Sequence, residues 1–460
     1  MLQLKLSEVA KLSGGQLNNE DFSDIIIDLV SIDTRTLNSG EMYMPIIGEK
    51  LDGHLFIKQA FDKGASAVFS ERGRANDFNN KPIVYVDNTN EAFAKLATNY
   101  RNTLKNVDVI GITGSNGKTS TKDLIALVFS RSMKIAKTIG NLNNEIGVPR
   151  TLLRLSKDTD LGVVEMGTDG FGQIDYLSHM VKPNIAILTN VGDAHLHILK
   201  SKDLIAIEKL DIVNGLSDDG YFIYNYDDEY IKDSVKEREI KQKTITFGQD
   251  KDSDYVIEIT NLTNGGSTFK LNGEEYRTSK IGLHQVYNAT CAIIVANIYG
   301  LDKNIVRRQL EINETSSMRS ELMNCQGFDI LNDSYKSNPQ SLLSALDTLD
   351  ILSGYKRKIA ILGDMLELGE NEELLHREIG RDIDPTKVDY LLLTGPLSKF
   401  MAEEAEKRFP FGHVFYSESK DKLIDKAKYL IQKNSLVLVK ASRSIRLEEI
   451  VEALEKINVK

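Results

Sequence analysis

"VDVIGITGSNGKTSTKDLI", Val107–Ile125, runs from an apolar strand through a glycine loop into a helix. This stretch decides the fold, because a strand, a glycine turn and Gly-Lys-Thr in phase form the phosphate cradle of a parallel α/β nucleotide domain. The spacing is shorter than the usual pattern: counting back from Gly117, the first glycine would fall at 112, which is Ile112. Gly114 and Gly117 let the backbone come close to an anion, and a helix starting near Lys118 presents unpaired N–H groups and the positive end of its dipole. Lys118 then falls where a β- or γ-phosphate lies, and Thr119 where a hydroxyl reaches magnesium. Leu124, Ile125 and Val128 are expected on the buried side of that helix. A glycine turn that merely caps a polar helix would leave the preceding strand and the in-phase Lys-Thr unexplained.

A nucleotide loop does not name a reaction, so the neighbouring strand ends carry the next step. "VVEMG" ends a strand with Glu165, and "LTNVGDAHL" ends another with Asp193 and His195. In a parallel sheet the C-terminal strand ends gather along one edge, that of the phosphate loop, so Glu165 and His195 are candidates to hold a divalent cation against the nucleotide.

The chain has 460 residues, too long for one hydrophobic core and suited to about three domains. Before Arg101, "IIIDLVSIDTR" and "EMYMPIIG" read as strands, and "HLFIKQAFDKGASAVFSE" as helix, turn at Gly64 and strand, giving a small α/β unit. The apolar strands "LGVVEM" and "IAILTNV" belong in a parallel sheet covered on both faces. From Tyr221 to Ile281, "YFIYNY", "KTITFG", "YVIEIT" and "STFKL" read as an added run of antiparallel strands. Thereafter "FDILNDSY", "KIAILGD", "DYLLLTG", "HVFYS" and "SLVLVKAS" alternate with helices, with Leu342, Leu343, Leu346 and Leu349 at helical spacing: a doubly wound, Rossmann-like domain. The predicted fold is α/β in three domains, 1–104, 105–314 and 315–460, the middle one a phosphate-loop parallel sheet with added antiparallel strands.

Composition narrows the partners. A net charge of -10 without a long basic run argues against nucleic acid. Cys291 and Cys325 are far apart and lack metal-ligand spacing, so neither a disulfide framework nor a zinc site is expected. "MLQLKLSEVAKLSGG" has no continuous apolar core of a signal peptide, and no apolar run approaches the roughly 18 residues of a membrane span. A cytoplasmic chain without membrane insertion is the expectation.

These motifs resemble the Mur ligases, which build the peptide stem of cell-wall precursors. That family carries the short Thr-Gly-x-x-Gly-Lys-Thr loop, here Thr113, Gly114, Ser115, Asn116, Gly117, Lys118 and Thr119, followed by Ser120. "SIDTR", "TIGNLNNEIGVPRTLL", "HQVYNATCA", "MRSE", "NDSYKSNP", "ILGDMLELGENEELLH" and "VLVKASRSIRLEEIVEAL" follow in the family's order across nearly the whole chain. The branch most resembled implies an ATP- and Mg2+-dependent amide ligase joining D-Ala-D-Ala to a UDP-N-acetylmuramoyl-tripeptide through an acyl phosphate. That places the chain in peptidoglycan synthesis, and so in cell shape and division; a monomer is expected. By position, the resemblance implies that Thr34 and Arg35 contact the uridine diphosphate and that Asn141, Asn143 and Asn144 face the muramoyl peptide. It also implies magnesium held by Thr119, Glu165, His195 and a carbamylated Lys209, with Asn288 at adenine, Arg319 at the γ-phosphate and Asp333 at ribose. Lys118, Lys209, His195 and Arg319 become the catalytic set. On its own sequence neighbourhood, beside Glu208 and Asp211, Lys209 reads instead as a solvated helix lysine.

The chain departs from the family at four places. Thr168 to Gln173 replaces a histidine-acidic pair after "EMG", Lys336 and Ser337 stand inside the Tyr-Asn-Ala-Asn-Pro motif, Gln285 replaces Asn, and Ala441 replaces Gly. Lys336 adds a positive charge on the nucleotide side. Two alternatives stay open at this point: a paralogue ligating another carboxylate or amine, and a phosphate-loop kinase or ATPase, which leaves the first and third domains without a purpose.

Overall fold

The computed structural model describes residues 2–78, 80–313 and 318–459. Three parallel-dominated sheets carry the fold. In the N-terminal unit five short strands line up in the order Gln16–Leu17, Ile83–Val86, Ala67–Glu71, Met42–Tyr43 and Val30–Ser31, parallel except for the first pair. "IIIDLVSIDTR" is therefore two strands rather than one. Ile26–Ile27 pairs antiparallel with Leu4–Lys5, and the chain changes sheets before Val30.

The helix Thr89–Thr103 starts where the Asn88 side chain accepts the Glu91 N–H at 3.0 Å, which satisfies one otherwise orphaned donor. It buries Phe93, Leu96, Ala97 and Tyr100, and it joins the N-terminal unit to the middle of the chain. The Tyr100 hydroxyl donates to the Leu155 carbonyl at 2.8 Å, and the Arg101 guanidinium donates to the carbonyls of Val181 and Lys182. One apolar core runs across this seam, so the two units are packed as a continuous body rather than tethered.

The central sheet has nine strands, and its order reverses at Asp108–Thr113, which lies between Ile185–Leu188 and Leu161–Glu165. Sequence reading assigned four antiparallel strands after Tyr221. The structure corrects this: Tyr221–Asn225 and Lys243–Gly248 extend the parallel sheet, because the helix Glu229–Glu237 provides the crossover between them. Only Tyr255–Thr263, Gly266–Leu271 and Glu274–Thr278 form the antiparallel addition.

The C-terminal sheet has six strands, five of them parallel, and an antiparallel edge strand Glu321–Asn324 that sequence reading did not find. Apolar clusters cover both faces. Leu342, Leu346 and Leu349 of the helix Pro339–Ile351 are buried as the spacing predicted, while Leu343 is only half-buried. The division expected at 314/315 falls outside the described residues. Among the described residues, no helix is long and apolar enough to cross a membrane.

Candidate active site

Strand order reverses beside Asp108–Thr113, and such a switch point opens a crevice at the strands' C-terminal ends. The loop after this strand lies in that crevice, and the helix Lys118–Phe129 follows it with Leu124, Ile125 and Val128 buried. Gly114 and Gly117 have φ of 147° and 82°. A Cβ at Gly114 would stand 2.0 Å from Thr189 Oγ1, and one at Gly117 would stand 2.6 Å from Asn288 Oδ1, so both positions need glycine for space as well as for backbone freedom.

The loop is tied down by the strand end next to it. Ser115 N–H donates to the Asn190 carbonyl at 2.9 Å, Asn116 N–H to Asn190 Oδ1 at 2.9 Å, and Thr189 Oγ1 to the Asn116 carbonyl at 2.6 Å. Lys118 turns its ammonium back onto the Gly114 carbonyl at 2.6 Å. Burial lowers its pKa to about 8, with Glu165 opposing the shift and Lys336 and Arg319 adding to it. The buried Thr113 hydroxyl, just before the loop, has no hydrogen-bond partner among the described residues.

Around the loop lies a cleft of about 570 Å³, closed on the far side by the C-terminal domain. Thr119 Oγ1 donates to Glu165 Oε2 at 2.7 Å, and Asn143 Nδ2 donates to Glu165 Oε1 at 2.9 Å, so one buried carboxylate links the helix start to the 141–144 loop. Lys209 lies in the same cleft and is 1% exposed, which overturns the solvated reading that its charged neighbours suggested. Burial, then the cations Lys118 and Lys336, push its pKa well below the usual lysine range. Glu208 is buried too, because it accepts the Gly172 and Ile174 N–H groups at the start of the helix Gln173–Val181 and the Thr168 hydroxyl.

His195 sits in the left-handed region at φ 65°. Burial, followed by Lys336, Lys209 and Lys118, depresses its pKa to about 2, so its imidazole is neutral. Among the described residues no group of three or more His, Cys, Asp or Glu side chains is arranged to hold a metal ion by itself. The donors at the loop are instead a hydroxyl, one carboxylate, an imidazole and a lysine amine. The hydroxyl and the carboxylate fit magnesium, which keeps several waters and takes one or two carboxylates plus phosphate oxygens, whereas the lysine as an amine does not.

From the C-terminal side, Arg319 stacks over Tyr335 with its guanidinium carbon 4.0 Å from the ring centroid. Asp333 accepts the Ser320 N–H at 2.9 Å and pairs with the buried Lys440 at 2.6 Å. Asn288, on the helix Leu283–Ile298, accepts the Thr121 hydroxyl at 3.2 Å. Asn338 Nδ2 donates to Asn116 Oδ1 at 2.9 Å, and Asn116 Nδ2 donates to Gln340 Oε1 at 3.1 Å, which clasps the C-terminal domain onto the loop.

Thus Ser115 to Ser120, the three asparagines 141, 143 and 144, Glu165, His195, Lys209, Asn288, Arg319 and Asp333 line one cleft. Thr34 and Arg35 do not line it. The Thr34 hydroxyl donates to Gln59 at 2.7 Å, and the exposed Arg35 guanidinium pairs with Asp33, whose carboxyl it holds at about 2. Sequence reading missed Glu367, Lys440 and Asp169 as cleft residues, and placed Lys336 on the nucleotide side without its partners. Asp169, Lys336 and Glu367 lie in loops, where no periodicity reports direction, and Lys440 is the last residue of the buried strand Ser435–Lys440.

Three family models match the chain in succession: the Mur ligase family catalytic domain at residues 26–101, the Mur ligase middle domain at 112–296, and the Mur ligase glutamate ligase domain at 318–443. The UDP-N-acetylmuramoyl-tripeptide–D-alanyl-D-alanine ligase of Bacillus subtilis is 37% identical over 458 residues, 99% of both chains. The Escherichia coli protein of the same description is 30% identical over 466 residues, again 99% of both. Among solved structures, MurF from Acinetobacter baumannii superposes with a TM-score of 0.88 at 26% identity over 99% of both chains. MurF from Thermotoga maritima, solved with ADP, has a TM-score of 0.80 at 26% identity over 93% of this chain and 97% of that one.

Proposed function

The chain belongs to the Mur ligase family, and from that premise we propose that it joins D-Ala-D-Ala to UDP-N-acetylmuramoyl-tripeptide with ATP, in peptidoglycan precursor synthesis. The observation that carries the reading is the match over 99% of both chains to the Bacillus subtilis ligase of that description. The cleft gives it chemistry, and the divisions 1–104, 105–314 and 315–460 give it a layout: uridine end, nucleotide, incoming amine.

A carboxylate is a poor electrophile, so the tripeptide's terminal carboxylate must first be activated. Its oxygen attacks the ATP γ-phosphorus, ADP leaves, and an acyl phosphate remains. The dipeptide's free amine attacks the acyl carbon, the tetrahedral adduct collapses, and phosphate departs with one carboxylate oxygen. Lys118 and Arg319 offset charge on the transferred group, and the loop N–H groups hold the phosphate chain. Asn288 and Asp333 take the adenine and ribose ends, Thr34 and Arg35 the uridine diphosphate, and Asn141, Asn143 and Asn144 the muramoyl peptide.

Thr119, Glu165, His195 and Lys209 would hold magnesium, which, when bound, neutralises charge on the phosphate oxygens. Lys209 fits this role only as an anion. Burial favours the deprotonated amine, and in that form it takes up CO2 to give a carbamate and a proton, so that a ligand replaces a repelling cation.

The test is incubation with ATP, magnesium, D-Ala-D-Ala and the tripeptide nucleotide carrying either lysine or diaminopimelate, read by mass spectrometry. The pentapeptide nucleotide is expected from at least one of them. ADP release without it would favour an ATPase, and ligation of neither would favour another acceptor.

A further inference from the structure

The loop after the C-terminal strand Asp329–Asn332 sends Lys336 across the interdomain seam, where its ammonium lies 3.1 Å from His195 Nε2 and 3.3 Å from Glu367 Oε2. The same Glu367 oxygen is 3.2 Å from His195 Nδ1. The carboxylate of Asp169 stands farther off, 3.8 Å from Nδ1, and is mostly exposed.

An ammonium has only donors, so Nε2 must present its lone pair to it, and the ring proton must sit on Nδ1, facing Glu367. A histidine that donates one N–H to a carboxylate while its other nitrogen is bare is oriented as metal-ligating histidines are. Both clasp residues come from the C-terminal domain, whereas His195 belongs to the central one. Neither arrives by chance of a mobile backbone. The Lys336 carbonyl accepts from the buried Lys440 at 2.8 Å, and the Glu367 carbonyl accepts the His197 N–H at 3.3 Å.

We infer that Glu367 and Lys336 are positioning residues with opposite effects on the cation site at His195: Glu367 fixes the bare-Nε2 tautomer, and the Lys336 ammonium competes with the divalent cation for that lone pair. Both effects arrive with the C-terminal domain, so the docking of that domain and cation binding at His195 are coupled through these two side chains. The inference rests on the reading of His195 as a magnesium ligand.

Two variants, their combination and two readouts test it on the full-length protein. Solid-state 15N NMR of histidine-labelled protein, with His195→Gln to assign the signal, reads the tautomer, and a Mg2+ titration of ligation reads the half-saturating concentration. The wild type should show Nδ1 protonated and Nε2 bare, with Nε2 shifting when Mg2+ and a non-hydrolysable ATP analogue are added. Glu367→Ala should raise half-saturating Mg2+ about tenfold or more, the range seen when such outer partners are removed, and the tautomers should mix only when Lys336→Met is added to it, because the ammonium alone still holds Nε2 bare. Lys336→Met should keep the tautomer and lower half-saturating Mg2+. Residues that only support the fold would shift both variants in the same direction. That result, or no shift in either, would overturn the inference. A wild-type Nε2 signal indifferent to Mg2+ and the analogue would instead remove the metal reading itself.

Discussion

Lys209 lies in the last turn of the helix Lys202–Leu210 and is 1% exposed, although Glu208 and Asp211 beside it gave it the look of a solvent lysine. Sequence could not show that burial, because it depends on long-range packing; Glu208 beside it is buried too, accepting the Gly172 and Ile174 amides from 34 residues and more away. Lys118 and Glu165 were legible, because a strand end and a glycine loop fix where such side chains must point. Lys209→Ala should lose most turnover, with part restored by added acetate or formate, whose carboxylate can fill the vacated space. Lys209→Arg should recover nothing, since guanidinium stays positive. A fully active alanine variant would contradict the carbamate. Arg35, by contrast, lies outside the cleft and 86% exposed beside Asp33. Arg35→Ala should raise KM for the uridine substrate and leave kcat nearly unchanged, because remote binding energy is lost from ground and transition states alike; a large fall in kcat would misplace the uridine end.

The glycine loop could be read as a loop from its sequence alone, whereas the strands after Tyr221 were read with the wrong partners. Alternation and turn residues mark a strand's existence, but its direction is set by what connects it, here the helix Glu229–Glu237. The loop itself leaves no room for a side chain at 114. Gly114→Ala should therefore fold but weaken ADP binding, measured by calorimetry, about tenfold or more, the equivalent of roughly 1.4 kcal/mol; unchanged affinity would mean that the loop does not cradle phosphate. In the C-terminal domain the helices Glu372–Asp382 and Ser398–Ala405 are joined through Glu404, which pairs with Lys407, Arg381 and Arg377. Lys407 and then Arg381 hold its carboxyl at about 2, against 4.5 for the free group. The unfolded chain therefore binds the extra proton between those values, and the stability this pairing gives is full above 4.5 and lost as pH falls toward 2. The wild-type melting temperature should fall more steeply than that of Glu404→Gln below about pH 4.5; parallel slopes would remove Glu404 from the acid response.

At the scale of the whole molecule, three domains make sense of one cleft. The N-terminal unit shares an apolar core with the central sheet, while the C-terminal domain meets it through polar contacts at Asn116, Asn338 and Gln340. An apolar seam resists separation, whereas a polar one opens and closes at lower cost, which suits the domain proposed to bring the amine. Sequence made the three domains legible through their separate strand-helix rhythms, but not the clasp, because no local pattern reports which loop faces which. Phosphate release should require both the tripeptide nucleotide and the dipeptide, since neither half-reaction is complete alone. The acyl phosphate that links them leaves a mark on the product. With the tripeptide's terminal carboxylate labelled with 18O and ligation run in unlabelled water, the released phosphate should carry one 18O for each pentapeptide formed. Phosphate free of label while pentapeptide accumulates would contradict the mechanism, because the carboxylate oxygen would then never have been bonded to phosphorus.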